Sequence, residues 1–230
     1  LNAWPAAWPS RDCLFTSLHV SPAGLRPYYA TPTIMLRKQW RKWVPLLASL
    51  SRVHTTPRMF TLVRAANESL LWSYNTTVLP VRLHHPTWAN SWHMQSFAKL
   101  AVPREARRVG CERVLFLDND CRVLRNVDHI FREVEPPAFA WHRGSGGKRL
   151  NSGVMLLPTD ASFVEALEEY TTRQYSSRTT PRRLREGGDQ EVWQGFFAES
   201  GRRVNELPAA YNARKTMRLN LSDVAIAHLV

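Results

Sequence analysis

The sequence has few of the features that mark membrane-spanning or disulfide-rich proteins. No stretch reaches the ~20 consecutive apolar residues that a transmembrane helix requires, so nothing in these residues is expected to cross a bilayer. Cysteine is rare, and Cys13, Cys111 and Cys121 do not have the spacing of a metal-ligand cluster. Cys111 and Cys121 flank a predicted strand whose extended length keeps them too far apart to bridge. We therefore expect free thiols.

Acidic residues are scarce relative to basic ones. The chain of 230 residues has 31 Lys and Arg against 19 Asp and Glu, a formal net charge of +12. A strong positive field attracts anions in general, so nucleotide sugars, nucleic acid, acidic polysaccharide and anionic membranes are all admissible partners. Its 44% hydrophobic and 22% charged residues are typical of a globular protein. The length suits one α/β domain, or at most two small ones.

Residues 113–131, RVLFLDNDCRVLRNVDHIF, carry the clearest chemical pattern. The apolar run 114–117 predicts a strand buried on both faces, and the carboxyl end of such a strand is where α/β sheets bind ligands. Asp118 and Asp120 follow at that end. Two neighbouring carboxylates repel each other unless a cation compensates, and their oxygens suit Mg²⁺ or Mn²⁺. The alternative is that both aspartates only begin a turn.

Four further motifs follow this segment in order. They are NSGVMLLP from Asn151, EGGDQEVWQGFF from Glu186, ELPAAYNA from Glu206 and AIAHLV from Ala225. The series resembles the glycogenin-like family 8 glycosyltransferases, in which a D-x-D strand precedes N-S-G, G-G-D-Q, L-P-x-x-Y-N and a strand ending in a metal-binding histidine. The resemblance covers residues 96–230 and is loose before them. It implies the GT-A fold, an α/β fold with a Rossmann-like mixed sheet and helices on both faces.

The resemblance also implies a metal site and a donor site. Asp118, Asp120 and His228 would bind Mn²⁺ or Mg²⁺, and Asp189 and Gln190 take the catalytic positions beside the donor sugar. The residues assigned to substrate binding are Lys99, Asn119, Asn151, Ser152, Gly188, Tyr211 and Asn212.

Several of these residues have plain structural alternatives. Lys99 and the nearby Arg104, Arg107 and Arg108 would form a solvated helix face. The N-S-G motif would be a turn before a strand, and Asp189 would cap the helix that follows it. Alone, a histidine such as His228 at a strand end is more often a structural group.

The reaction that the resemblance implies is transfer of a hexose or related sugar, with retention of anomeric configuration. The donor would be a UDP-sugar, and the acceptor a hydroxyl of a glycan, a protein or a small molecule. The metal would stabilise charge on the departing diphosphate. Because no nucleophile other than Asp189 or Gln190 suggests itself, we favour a front-face route. The choice of uridine rests on the family, since ATPTIMLRKQW from Ala30 lacks the expected polar turn.

Two other functions fit part of the pattern. Haloacid dehalogenase-type phosphatases also place D-x-D after an apolar strand, but they need Thr where this chain has Arg122, and they carry the motif near their start. A catalytically inactive basic module on the same fold would bind polyanions through the arginine-rich tract at 173–185. The intact metal set argues against this module, and we expect no nucleic-acid partner.

Outside the motifs, the sequence predicts an irregular amino-terminal arm at 1–28 and a GT-A domain at 29–230 that is truncated at its carboxyl end. We predict strands at 29–36, 59–63 and 77–83 and helices at 40–53 and 68–74. The first helix carries Lys42 on its outer side. A glycine-rich loop at 141–148 is expected over the site.

The compartment is suggested by three N-x-S/T sequons at Asn67, Asn75 and Asn220. They favour the lumen of the secretory pathway, such as the Golgi, with the cytoplasm as the alternative. The chain begins at Leu1 rather than Met, so we expect a longer protein in which any membrane anchor lies outside these residues.

Overall fold

A computed structural model describes residues 11–19, 32–53, 55–64, 76–81, 96–144, 147–176, 188–214, 217 and 219–229. The strands are β1 (Asp12–His19), β2 (Arg58–Arg64), β3 (Thr77–Pro80), β4 (Arg113–Leu117), β5 (Cys121–Val123), β6 (Ala138–Gly144), β7 (Gly147–Pro158), β8 (Asn205–Glu206), β9 (Ala213–Arg214) and β10 (Ile226–His228). The helices are α1 (Pro32–Arg52), α2 (Val102–Arg108), α3 (Ile130–Glu133), α4 (Ala161–Ser176) and α5 (Asp189–Ser200), with 3₁₀ helices at Ser96–Ala101, Ala209–Tyr211 and Leu221–Asp223. None of the helices in these ranges is both long and apolar enough to span a bilayer.

Seven strands form one mixed sheet in the order β3-β2-β1-β4-β7-β6-β8. The four strands from β3 to β4 are parallel, whereas β7 runs antiparallel to both β4 and β6. This order places β4 in the middle of the sheet, where each residue from Val114 to Leu117 is at most 1% exposed. The predicted buried strand is therefore confirmed.

Alternate residues of the central strand belong to two separate cores, because successive side chains of a strand point to opposite faces. Val114 and Phe116 pack with the cluster that includes aromatic residues of α4 and α5. Leu115 and Leu117 pack with the cluster that includes α1 and α3. Helices thus cover both faces of the sheet, as the sequence predicts.

A second sheet follows the carboxyl end of β4, with three short strands in the order β5-β10-β9. β10 pairs antiparallel with β5 and parallel with β9. The register sets His228 opposite Cys121 on one side and Arg214 on the other. This sheet brings residue 228 back to the turn that follows β4.

The first half of the chain differs from the sequence prediction. Asp12–His19 forms β1 and pairs with β2 and β4, so the prediction of an irregular arm at 1–28 is wrong for these residues. The strand predicted at 29–36 is wrong from Pro32 on, where α1 begins. Proline is tolerated in the first turn of a helix because the amide that it lacks has no acceptor there.

Other local predictions are confirmed or lie outside the described residues. The helix predicted at 40–53 is the larger part of α1, and the strands predicted at 59–63 and 77–83 correspond to β2 and β3. The helix predicted at 68–74 lies outside the described residues. The predicted glycine-rich loop is wrong for the strand residues at 141–144 and 147–148, because β6 and β7 form a hairpin whose pairing extends to Gly144 opposite Gly147.

A disulfide joins Cys13 of β1 to Cys111, just before β4. The parallel pairing of Asp12 with Arg113 brings these segments together, and the two Cα atoms are 5.9 Å apart. The expectation of free thiols is therefore wrong for this pair, since a parallel pairing across so much sequence leaves no local pattern. Cys121 is a free, buried cysteine as expected.

The disulfide links residues 98 positions apart, so replacing Cys13 and Cys111 together with alanine should lower the free energy of unfolding. The expected loss is about 2–5 kcal/mol, because the bond restricts the unfolded chain. Urea unfolding with and without reductant measures it. The reduced parent should match the double variant, and a variant as stable as the oxidised parent would contradict the prediction.

Candidate functional site

The D-x-D residues occupy the turn between β4 and β5. The amide of Asp118 donates to the carbonyl of Gly153 in β7 at 2.8 Å, and the amide of Cys121 donates to the carbonyl of Asp118 at 3.0 Å. These bonds fix the backbone of the turn. The side chains of Asp118 and Asp120 are 22% and 16% exposed, respectively, so both carboxylates are largely withdrawn from solvent.

His228 reaches the same turn from the end of β10. Its side chain is buried, and Nε2 lies 3.2 Å from Oδ1 of Asp120 and 3.9 Å from Oδ2 of Asp118. The register of β10 with β5 explains the approach, because it sets His228 beside Cys121, the residue after the D-x-D motif. Nε2 of His228 therefore approaches the carboxylates of both D-x-D aspartates, that of Asp120 more closely than that of Asp118.

A chain of side-chain amides orients His228. Nδ1 lies 2.9 Å from Oδ1 of Asn212, and Nδ2 of Asn212 donates to Oδ1 of Asn151 at 2.8 Å. Because Asn212 offers its oxygen to the ring, Nδ1 carries the proton. Nδ2 of Asn151 donates in turn to Oε1 of Gln190 at 3.1 Å. Residues from four motifs thus form one hydrogen-bonded unit, which directs Nε2 toward the aspartates.

This orientation fits a divalent cation. With Nδ1 protonated, Nε2 either takes a second proton and donates to Asp120 or offers its lone pair to a cation. Carboxylate oxygen and imidazole nitrogen are donors of the kind that bind divalent metals in proteins. Among the described residues, the group whose ligand atoms all lie within 4.8 Å of one another is Asp120, Cys121 and His228, and it does not include Asp118.

Gly153 of the N-S-G motif makes room for His228. A Cβ atom at this position would lie 2.2 Å from Cε1 and 2.7 Å from Nδ1 of the imidazole, far inside ordinary contact distance. Only glycine allows the ring to pack so closely against the backbone. The N-S-G residues lie within β7, so the alternative of a plain turn before the strand is wrong.

Lys99, in the 3₁₀ helix before α2, is a buried cation of the site. Nζ lies 2.8 Å from the carboxylate of Asp118, 3.3 Å from Oγ of Ser152 and 3.9 Å from Oδ2 of Asp189. Burial alone would lower the pKa of Lys99, but the attraction of Asp118 and Asp189 outweighs it and raises that pKa. The solvated-face alternative is therefore wrong for Lys99. It holds for Arg104, Arg107 and Arg108, which are exposed.

Asp189 is buried at the start of α5. Gly188, also buried, is the N-cap residue, so the capping alternative for Asp189 is wrong. The aspartate is 3% exposed, and its Oδ2 has no hydrogen-bond donor within the described part of the chain. Leaving a buried carboxylate oxygen without a donor costs free energy. Among the described residues, this carboxylate oxygen is therefore an unsatisfied buried acceptor.

The two D-x-D carboxylates have pKa values shifted in opposite directions. Burial raises the pKa of Asp118, and the attraction of Lys99 opposes that rise. Burial also acts on Asp120, but hydrogen bonds with His228 and Lys42 outweigh it and lower the pKa of Asp120. Asp120 is therefore the more firmly ionised of the pair.

Two further predicted binding residues are Tyr211 and Asn119. Tyr211 is buried in the core cluster on the α1 face, and its hydroxyl contacts Nε2 of His129. Asn119 lies between the two aspartates in the turn and is half-buried. The structure brings together Asp118, Asp120, His228, Asn151, Ser152, Asn212, Asp189, Gln190 and Lys99.

The contact between Lys42 and Asp120 was not predicted from the sequence. Helical spacing places Lys42 on the outer side of α1, yet its Nζ lies 3.0 Å from Oδ2 of Asp120. The contact depends on how α1 packs over β5, and no motif spacing in the sequence indicates it.

Comparison with known proteins adds to this geometry. No protein-family model matches the chain. Among curated proteins, glucose N-acetyltransferase 1 of Gibberella zeae is 30% identical over 115 residues. The match covers 47% of this chain and 24% of the relative, so the chain spans about a quarter of the relative's length.

Solved glycosyltransferases are similar over nearly the whole chain. GlyE of Streptococcus pneumoniae TIGR4 aligns with a TM-score of 0.64 and 16% identity, over 96% of this chain and 54% of its own. The galactosyltransferase LgtC, solved with donor and acceptor sugar analogues, gives 0.60 and 14%, over 94% and 86%. Mouse xyloside xylosyltransferase 1 gives 0.58 and 15%, over 95% and 97%. This chain has the GT-A fold. The predicted fold class is confirmed, and family 8 membership stays a prediction.

Gly153→Ala should abolish the Mn²⁺ binding that the sequence predicts for the parent, because the added methyl group must displace the imidazole of His228. The loss of stability should be about 1–3 kcal/mol. Electron paramagnetic resonance of free Mn²⁺ measures binding, and thermal unfolding measures stability.

Gly195→Ala is the matched control for this variant. Its Cβ would meet Oη of Tyr170 at 2.1 Å, at the contact between α4 and α5. This variant should lose similar stability but keep parental Mn²⁺ binding. Parental binding by Gly153→Ala would show that His228 can move aside without cost to the site.

Proposed function

We propose that this chain is a retaining glycosyltransferase that moves a hexose or related sugar from a UDP-sugar to a hydroxyl of a glycan, a protein or a small molecule. The observation that carries the proposal is the convergence of residues from the D-x-D turn, N-S-G, G-G-D-Q, L-P-x-x-Y-N and the end of β10 in one site on a GT-A fold. The similarity to GlyE, LgtC and the xylosyltransferase supports the transferase class. The motif order supports family 8.

The metal site proposed here consists of Asp118, Asp120 and His228. A bound Mn²⁺ or Mg²⁺ would supply positive charge against the diphosphate of the donor. Asn212 and Asn151 keep His228 in the tautomer that presents Nε2 to the cation. Gly153 gives the imidazole the space to stay there.

Asp189 and Lys99 are suited to bind the donor sugar. A sugar hydroxyl is a donor that satisfies the buried Oδ2 of Asp189, which lacks one among the described residues. Lys99 stands 3.9 Å from that oxygen, so its ammonium attracts the carboxylate of Asp189. Its ammonium also bridges toward Asp118 at 2.8 Å, so the sugar and metal sites share one cation.

A front-face mechanism agrees with the contacts of Gln190. Its Oε1 accepts hydrogen bonds from Nδ2 of Asn151 at 3.1 Å and from the amide of Ser152 at 3.3 Å. Attack by this oxygen on the anomeric carbon would break both bonds, so we assign Gln190 a binding role through its NH₂ group. The bond from the anomeric carbon to the phosphate breaks while the acceptor oxygen attacks the same face, and the proton of the acceptor passes to the leaving phosphate.

The donor site predicts that UDP stabilises the parent chain only when Mn²⁺ is present. Near-saturating ligand should raise the melting temperature by about 5 °C or more. Asp118→Asn should lose this shift, because it removes one charged ligand. Thermal unfolding with UDP, with Mn²⁺ and with both measures the effect.

Asp223→Asn is the control, since Asp223 is an exposed aspartate of the 3₁₀ helix before β10. It should respond to UDP and Mn²⁺ as the parent does. A shift that survives in Asp118→Asn would refute the proposed metal site, and no shift in the parent would refute the proposed donor.

We also propose that the chain folds in the lumen of the secretory pathway. The buried disulfide between Cys13 and Cys111 is of a kind that persists in oxidising compartments, and the sequon residues Asn220 and Ser222 are exposed.

When the chain is directed into a eukaryotic secretory pathway, Asn220→Gln should remove one glycan. Electrophoresis before and after glycosidase treatment measures this, and Asn205→Gln, outside any sequon, should leave mobility unchanged. Equal mobility of Asn220→Gln and the parent would count against the proposal.

A further inference from the structure

Each D-x-D carboxylate has its own lysine partner, and the two lysines differ in their surroundings. The side chain of Lys99 is 9% exposed. Its ammonium contacts Asp118 and Ser152 and lies farther from Asp189. Lys42 is 53% exposed and holds the carboxylate of Asp120 at 3.0 Å. Lys99 is therefore fixed within the protein, whereas Lys42 approaches the carboxylate from solvent.

The backbone of Lys42 is anchored although its ammonium lies at the surface. Nη1 of Arg122 donates to the carbonyl of Lys42 at 3.2 Å, and the amide of Val123 donates to Oγ of Ser49 at 3.0 Å. Both bonds join α1 to β5. Trp43 and its apolar neighbours on α1 are buried beneath the helix. The backbone from which the Lys42 side chain extends is therefore fixed beside the D-x-D turn.

The pair of Lys42 and Asp120 is weak enough to exchange. Exposed lysine–carboxylate pairs contribute little to stability, because water screens the charges and holding the side chain costs entropy. A divalent cation held by Asp120 and His228 would compete for the same carboxylate. Once displaced, the ammonium of Lys42 stays within reach of any anion that the cation binds, and a phosphate oxygen is a strong acceptor for it.

We propose that Lys42 is a diphosphate-binding residue of the donor site, paired with Asp120 until the donor and its cation bind. In the bound state its ammonium contacts the diphosphate of the nucleotide sugar. It thereby adds positive charge where negative charge grows as the glycosidic bond breaks. This inference rests on the proposed function and assigns one further residue to the same site.

The inference predicts opposite effects of Lys42→Gln on two ligands. Mn²⁺ alone should bind about two- to fivefold more tightly, because the competing ammonium is gone. UDP in the presence of saturating Mn²⁺ should bind about tenfold more weakly, because a charge-assisted hydrogen bond is lost. Isothermal titration calorimetry measures both affinities, and neither depends on turnover. Lys42→Arg should recover most of the UDP affinity.

Arg41→Gln is the matched control, since Arg41 is the adjacent exposed cation of α1. It removes the same charge from the same helix and should leave both affinities at parental values. A parent that fails to bind UDP with Mn²⁺ overturns the proposed function and this inference together. A parent that binds while Lys42→Gln retains full UDP affinity, or binds Mn²⁺ more weakly, overturns the inference alone.

Discussion

Backbone pairing between β5 and β10 holds the candidate site together. β5 leaves the D-x-D turn immediately, so the position of its partner strand decides what faces Asp118 and Asp120. The register sets His228 opposite Cys121, and the imidazole then meets Asn212, which precedes β9, the other neighbour of β10. A shift of one residue would turn His228 to the opposite face of this sheet, because side chains alternate along a strand. Three short strands therefore bring His228 to the D-x-D turn.

The carboxylates of the site are paired with nearby cations rather than left to water. Asp118, Asp120 and Asp189 face Lys99 and Lys42, with His228 as a further group that can carry charge. Buried carboxylates of this kind are tolerated only when cations compensate them. The lysines differ in freedom, since one is enclosed and the other stands at the surface. The enclosed lysine compensates the buried carboxylates, and the surface lysine is the one that we propose to exchange partners.

The sequence predicted those features that depend on residues close together in the chain or on the order of the motifs. Asp118 and Asp120 follow a recognisable buried strand, and His228 and Asn151 lie in motifs whose order is informative by itself. β1 escaped prediction because its strand character depends on pairing with β2 and β4, far along the chain. The disulfide between Cys13 and Cys111 was not predicted for the same reason. Lys42 could not be found, since its contact with Asp120 arises from the docking of α1 on β5.

The contact between Gly153 and His228 makes the two positions dependent on each other during sequence divergence. As long as position 228 holds an imidazole, any side chain at position 153 clashes with it. A descendant that lost the histidine would lose the two shortest of these contacts, but a Cβ atom at position 153 would still meet Oδ1 of Asn151 at 2.9 Å. The glycine is therefore tied both to the histidine and to the asparagine of its own N-S-G motif, and we expect these three positions to change together in related sequences.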